Sequence, residues 1–201
     1  TAQLAFSYGM SAWWFTLGSG IGCLIVKKDT PLLSMIRGGG QEWGKRGGTE
    51  SVALACAMAA ALHERTNKMI IGMKQIALCR DLLITSLFRF VPDTYVNGPY
   101  TPGDVFLRLP GNANLSFLGV ESQALVMALS AEGVYASSGS ACTSGEADGS
   151  YVLRAMGYPA SRATSAVRFT LPYTVTEDDV LGAVPLIVSA VEKLRRLTPT
   201  P

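Results

Sequence analysis

The sequence predicts an α/β or α+β protein built from more than one part. Short β-branched runs alternate with longer helix-forming stretches along the whole chain, the pattern of strands covered by helices. The 201 residues are 48% hydrophobic and 16% charged, enough apolar mass for a buried core and too little charge for a disordered tail. The 21 glycines and 10 prolines are dispersed without a period, which excludes collagen-like and low-complexity readings. No internal repeat is present.

The elements follow in order. Ile21 to Val26 (IGCLIV) reads as a buried strand closed by a turn at Lys27 to Pro31. Gly38 to Glu50 (GGGQEWGKRGGTE) is a loop, with Thr49 placed to cap the next helix. Ser51 to Leu62 is rich in helix formers, and a second helical stretch runs from about Met69 to Phe90. Val91 to Gly103 holds three prolines and Asn97-Gly98, and reads as a connection near a domain boundary. Val105 to Leu109 and Ala113 to Phe117 read as strands around a Pro-Gly turn. Glu121 to Ala131 is a helix with Leu125, Ala128 and Leu129 on one face. Val134 to Ser137 is a strand, Ser150 to Met156 a short helix, and Ala166 to Leu171 a strand. The last helix opens on Thr176-Glu177-Asp178-Asp179 and ends with Lys193, Arg195 and Arg196, charges that suit both ends of the helix dipole. Its apolar positions are Val180, Val184, Ile187, Val191 and Leu194, and Pro185 among them predicts a kink.

Composition removes several function classes. Seventeen basic against fifteen acidic residues give a formal +2 with no basic cluster, so no nucleic-acid partner is expected. The four cysteines, Cys23, Cys56, Cys79 and Cys142, form no C-x-x-C pair and the only histidine is His63, which leaves no metal site. A single histidine, read as a surface residue, also argues against Ser-His-Asp and Cys-His hydrolases. Four cysteines do not make a disulfide framework, and a reducing compartment is expected. Residues 1–26 are uncharged and long enough to cross a bilayer, but glycines and hydroxyl residues interrupt them. Buried strands and turns are the favoured reading there, membrane contact is not, and no secretory signal is expected because no basic residue precedes the stretch.

Three segments exceed what a core needs. Ser137 to Gly145 (SSGSACTSG) surrounds the Cys142 thiol with small residues, a tether on which a nucleophile could collect and deliver cargo. Gly38 to Glu50 combines glycine N–H groups with Lys45, Arg46 and Thr49 near a helix start, which suits an anion such as phosphate. Arg168 lies on an otherwise apolar strand (AVRFT) and needs an anionic partner, either a protein acid or a substrate carboxylate.

Together these segments resemble the cysteine desulfurases of the NifS/IscS type. GGGQEWGKRGGTE is similar to the family's GGGQE-x-G-x-R-x-GTE loop, and NANLSFLGVES to its N-x-x-F-x-G-V-E segment. SSGSACTSG resembles the loop bearing its catalytic cysteine, and VLRAMG and AVRFTLPYTVTEDD match two later segments in the same order. The resemblance runs from about Ser11 to Thr198 and covers the C-terminal half of the family's length. It implies a remnant of a fold-type I pyridoxal-phosphate (PLP) transferase large domain over residues 1–66, followed over 67–201 by the small α+β domain with the cysteine loop. It implies an enzyme family of PLP-dependent homodimers that take sulfur from cysteine, hold it as a persulfide and pass it to iron–sulfur or thiolation acceptors. By position, Cys142 would be the persulfide nucleophile, Arg168 the carboxylate ligand, Asn112 and Asn114 substrate-side residues, and Thr49 a contact to the cofactor phosphate across the dimer.

The cofactor lysine has no counterpart. An ungapped match places Trp14 at its position, and no lysine occurs before Lys27. Indole carries no nucleophilic amine, so covalent cofactor binding by this chain is not expected. The chain is therefore read as a desulfurase-like C-terminal half, not competent alone for PLP chemistry. It would work with a separate N-terminal half or a sulfur acceptor, in the cytoplasm or mitochondrial matrix. The alternative is a catalytically dead structural subunit of a larger, organellar or membrane-associated assembly.

Overall fold

The computed structural model describes residues 20–138 and 149–197, apart from the side chains of Arg65, Asn67 and Lys68. Trp14, most of the uncharged start and Cys142 with most of its loop lie outside the described residues. The chain forms two compact units, 1–69 and 70–201. The division falls within helix α1 (Val52–Phe90), not in the proline-rich connection at Val91 to Gly103.

In the first unit the expected strand at Ile21 to Val26 is absent beyond an isolated bridge at Leu24. Leu24 and Ile25 are more than half exposed. A strand of this apolar kind needs paired neighbours and a covered face, and the described part of this unit supplies neither. The loop that follows contains a short 3-10 helix (Gln41–Gly44) in which Glu42 and Trp43 adopt left-handed backbone. Helix α1 begins at Val52, so the capping position falls to Ser51 and not to Thr49. The two expected helices are one of 39 residues. The polar run between them holds no glycine or proline, and the Thr66 hydroxyl donates to the Leu62 carbonyl one turn back. His63 is exposed, as expected.

The second unit is a sheet with three helices, α1, α2 (Ser122–Ala131) and α5 (Glu177–Leu197), on one face and short α4 (Ala160–Thr164) at the other. Strands β1 (Thr94–Val96), β2 (Asn112–Phe117), β3 (Ser137–Ser138) and β4 (Ala166–Thr170) lie in the order β1-β2-β4-β3, all antiparallel. Helices α2 (Ser122–Ala131), α3 (Tyr151–Ala155), α4 (Ala160–Thr164) and α5 (Glu177–Leu197) complete it. Alternation sorts the sheet: Ala113, Leu115, Phe117, Val167 and Phe169 point to the core. There they meet Leu83, Ile84 and Leu87 of α1, Leu125 and Leu129 of α2, and Val180, Val184, Ile187 and Val191 of α5. Ala128 packs against this cluster from its edge, completing the face expected of α2. The last helix continues through Pro185.

Three local expectations differ. Val105 to Leu109 forms no strand, because the Asp104 carboxylate accepts from the backbone N–H of Phe106 at 2.8 Å and of Leu107 at 2.6 Å and folds the segment into a turn. The supposed connection at Val91 to Gly103 contributes edge strand β1. The strand expected at Val134 to Ser137 shrinks to Ser137–Ser138.

Helix α5 is opened by a capping box. Asp179 N–H donates to Thr176 Oγ1, while Asp179 Oδ2 accepts from Thr176 Oγ1 at 2.7 Å and from Thr176 N–H at 2.9 Å. The Thr176 hydroxyl, then its backbone N–H, hold the Asp179 carboxyl below its ordinary pKa. A depressed carboxyl stabilises the fold above its unfolded pKa, and that contribution disappears as pH falls through the folded value. An Asp179→Ala chain is therefore expected to unfold at lower denaturant than the parent at neutral pH. The two midpoints should converge in the acid range below the ordinary carboxylate pKa, as read by urea titrations across pH.

Candidate functional site

The sheet's second face is polar, and its register assembles a compact group. Arg168 on β4 is exposed and lies directly opposite Asn114 on β2 and opposite Ser137 on β3. Opposed residues project to the same face, so these three side chains are neighbours by construction. Asn112 is one pleat further along β2, opposite Thr170. Among the described residues no carboxylate pairs with Arg168.

Beneath this row is a hydrogen-bonded layer that the sequence reading did not anticipate. Asn97 is 2% exposed. Its Nδ2 donates to Asn114 Oδ1 at 2.8 Å and to Ser116 Oγ at 2.7 Å. Its Oδ1 accepts from Arg162 Nη2 at 2.7 Å and Nε at 3.2 Å. Arg162 also donates to the Val96 carbonyl and lies over the rings of Tyr158 and Tyr95, at 4.2 and 5.2 Å from their centroids. Ser116 Oγ donates to the Arg162 carbonyl, so α4 covers one end of the polar face, and Arg168 at the other end is exposed. The only sequence signal for this layer was Asn97-Gly98, which on its own reads as a turn.

The described thiols differ sharply. Cys79 is fully buried, and burial first, then the nearby Glu177, pushes its pKa up, which disfavours the reactive thiolate. Cys23 and Cys56 are exposed free cysteines of the first unit. Cys142 follows β3 by four positions in the sequence.

Thr49 belongs to the first unit, exposed in the loop before α1. That loop closes on itself at two glycines. A Cβ on Gly47 would come within 2.7 Å of the Gly38 backbone, and Gly47 N–H donates to the Ile36 carbonyl at 2.8 Å. Arg46 Nη1 donates to the Gly47 carbonyl, which keeps its charge beside the loop.

No protein-family model matches the chain. Curated proteins do. The chain is 38% identical over 177 residues to an IscS-like cysteine desulfurase of Mycobacterium tuberculosis, covering 88% of this chain and 44% of that protein. It is 35% identical over 190 residues to a cysteine desulfurase IscS of Dictyoglomus turgidum, covering 94% and 47%. The chain is related to the C-terminal part of NifS/IscS-type cysteine desulfurases. It spans just under half the length of the curated relatives it matches. The fold agrees. A solved NifS-like protein superposes with a TM-score of 0.72 at 26% identity, over 86% of this chain and 42% of its own. The NifS-like protein of Rickettsia africae gives 0.69 at 25%, over 88% and 44%.

Cysteine desulfurases use PLP. The residues present fit one end of that group. The glycine-closed loop with Lys45, Arg46 and Thr49 offers donors for its phosphate. The first lysines in the sequence, Lys27 and Lys28, belong to an exposed turn in which Thr30 N–H donates to the Lys27 carbonyl.

Proposed function

We propose that this chain is the sulfur-accepting part of a cysteine desulfurase system, with Cys142 as the thiol that carries sulfur. The observation supporting the reading is the open polar end of the sheet. There Arg168 is flanked by Asn114 and by Ser137, the strand residue five positions before Cys142. In this reading the Arg168 guanidinium grips the carboxylate of the amino-acid substrate, Asn114 donates beside it, and Asn112 borders the pocket. Thr49 contacts the cofactor phosphate of a neighbouring subunit. Sulfur transfer needs no cofactor once a persulfide is available. The Cys142 thiolate attacks the outer sulfur of a donor persulfide, a new S–S bond forms on Cys142, and the donor's S–S bond breaks to release its thiolate with no net oxidation. The partners are a second copy or a separate N-terminal half, together with an acceptor serving iron–sulfur or thiolation chemistry. The compartment is the cytoplasm or the mitochondrial matrix.

A persulfide-specific tag, applied after incubation with a small-molecule persulfide and mapped by mass spectrometry, tests this. Label is expected on Cys142, and Cys142→Ala should lose it while background on exposed Cys23 and Cys56 stays unchanged. Equal labelling of parent and Cys142→Ala would reject the reading. The second reading, a catalytically dead structural subunit, is favoured by the apolar residues of the first unit that face solvent, Leu33 at 92% and Met35 at 97% exposure. It requires that the chain copurify stoichiometrically with a partner and take up no sulfur.

A further inference from the structure

We infer that Arg162 and Asn97 are positioning residues that set the direction of the Asn114 amide, so that its NH2 group, and not its carbonyl, is presented beside Arg168. The inference rests on the reading above in one respect: that Asn114 and Arg168 meet a carboxylate.

A guanidinium has no acceptor, so whatever faces Arg162 must be an oxygen. Both Arg162 contacts to Asn97 reach Oδ1. The guanidinium is itself held by the Val96 carbonyl and by the rings of Tyr158 and Tyr95. Asn97 therefore turns its Nδ2 the other way. One of its protons goes to Ser116 Oγ and the other to Asn114. Ser116 can accept there because its own proton goes to the Arg162 carbonyl, which closes the circuit. Asn114 must then offer Oδ1 to Asn97, and its Nδ2 is turned outward. Being opposite Arg168 in the ladder, that Nδ2 adds a neutral donor to a cationic one. Two donors, the Arg168 guanidinium and the Asn114 NH2, then stand side by side at this end of the sheet face, which suits a carboxylate. The same amide flipped would aim a carbonyl oxygen at the ligand's oxygens.

Asn97→Asp inverts the relay while keeping the bond to Arg162: the new carboxylate accepts on both sides and forces Asn114 to turn its NH2 inward. Arg162→Met removes the source of polarity but keeps an apolar stem under the tyrosines, and Arg162→Lys restores a donor. The measurement is side-chain amide hydrogen exchange by NMR, with L-alanine titrated as carboxylate probe. In the parent the Asn97 amide protons should exchange slowly and those of Asn114 quickly. In Asn97→Asp, protection should appear on Asn114 and L-alanine affinity fall at least tenfold. Arg162→Met should lose slow exchange at Asn97 and weaken alanine several-fold, with partial recovery in Arg162→Lys. Protection unchanged at Asn114 in Asn97→Asp would overturn the relay. So would loss of affinity in Arg162→Met with the Asn97 amide still protected. If the parent and Arg168→Ala both fail to bind L-alanine, the carboxylate reading of the site falls, while the exchange pattern still decides the relay.

Discussion

Replacing Gly149 by alanine is expected to lower the melting temperature of the protein by on the order of 10 °C and to cut persulfide labelling of Cys142 several-fold. Gly149 has φ +72°, a left-handed backbone that alanine resists at a cost of about 1–2 kcal/mol. The larger problem is space. A Cβ there would come within 2.5 Å of the carbonyl carbon and oxygen of Ala163 and of the nitrogen of Thr164, backbone atoms that cannot swing aside. The neighbouring Ser150 N–H donates to the Ala163 carbonyl at 3.1 Å, so the two segments are joined where the clash would occur. Overpacking of this kind adds about 1–3 kcal/mol. Gly157→Ala is the internal control: φ is +86° but nothing lies within 4 Å of its added Cβ, so only the backbone cost remains. Differential scanning calorimetry of the two variants separates space from conformation. Gly149 immediately follows residues 139–148, which include Cys142, so its displacement is also read at the thiol. A Gly149→Ala chain that melts with the Gly157→Ala chain would show that the 149–163 contact carries no strain.

Where the sequence was legible, side-chain period and elementary chemistry agreed. Helix α2 and helix α5 were readable because Leu125 and Leu129, and Val180, Val184, Ile187 and Val191, recur at helical spacing and all become buried. The capping acids of α5 were readable because the helix dipole asks for them. Strands β2 and β4 were readable as short strand-forming runs. Reading failed where one side chain or one missing neighbour decides. Val105 to Leu109 has strand residues, yet a single carboxylate at Asp104 bends it. Ile21 to Val26 has the composition of a buried strand, but composition does not supply the strands beside it. The break placed between Leu62 and Met69 was drawn from polarity, which does not end a helix that lacks glycine or proline.

The site divides in the same way. Arg168 stood out because one charge on an apolar strand demands a reason, and Asn112 and Asn114 only through the resemblance of their segment to the family's. Their meeting across the ladder could not be seen without the register. Asn97 and Arg162 were invisible, since they are 65 positions apart and neither is unusual in its own segment. Networks of buried amides are written in three dimensions: what fixes their direction is the one partner that cannot accept a hydrogen bond.

Arg80→Met is expected to destabilise the second unit by about 3–5 kcal/mol, the range for stranding a buried charge, which is on the order of 10–20 °C in melting temperature. Arg80 is 0% exposed. Its Nη2 contacts Asp81 Oδ1 at 2.7 Å and donates to the Asp104 carbonyl at 3.1 Å, its Nε donates to Asp81 Oδ1 at 2.8 Å, and its guanidinium lies 5.5 Å from the Tyr100 ring centroid. Asp81 in turn accepts from the Gly103 N–H at 2.6 Å, so the pair ties α1 to the 100–104 turn. Burial, reinforced by Asp81, pushes the Tyr100 hydroxyl up to about 12, and Arg108 nearby is held down by burial and by Arg80 itself. Methionine would replace the volume but leave the Asp81 carboxylate facing an apolar stem and the Asp104 carbonyl without its donor. The double variant Arg80→Met, Asp81→Leu separates the pair from its parts. If the loss comes from the stranded carboxylate, the double variant regains most of it, less the bond to Gly103. If it comes from the turn, the double variant is no better than the single. Recovery measured by urea unfolding therefore decides whether this buried pair stabilises the unit or only specifies where the 100–104 turn docks, and a single variant as stable as the parent would refute both.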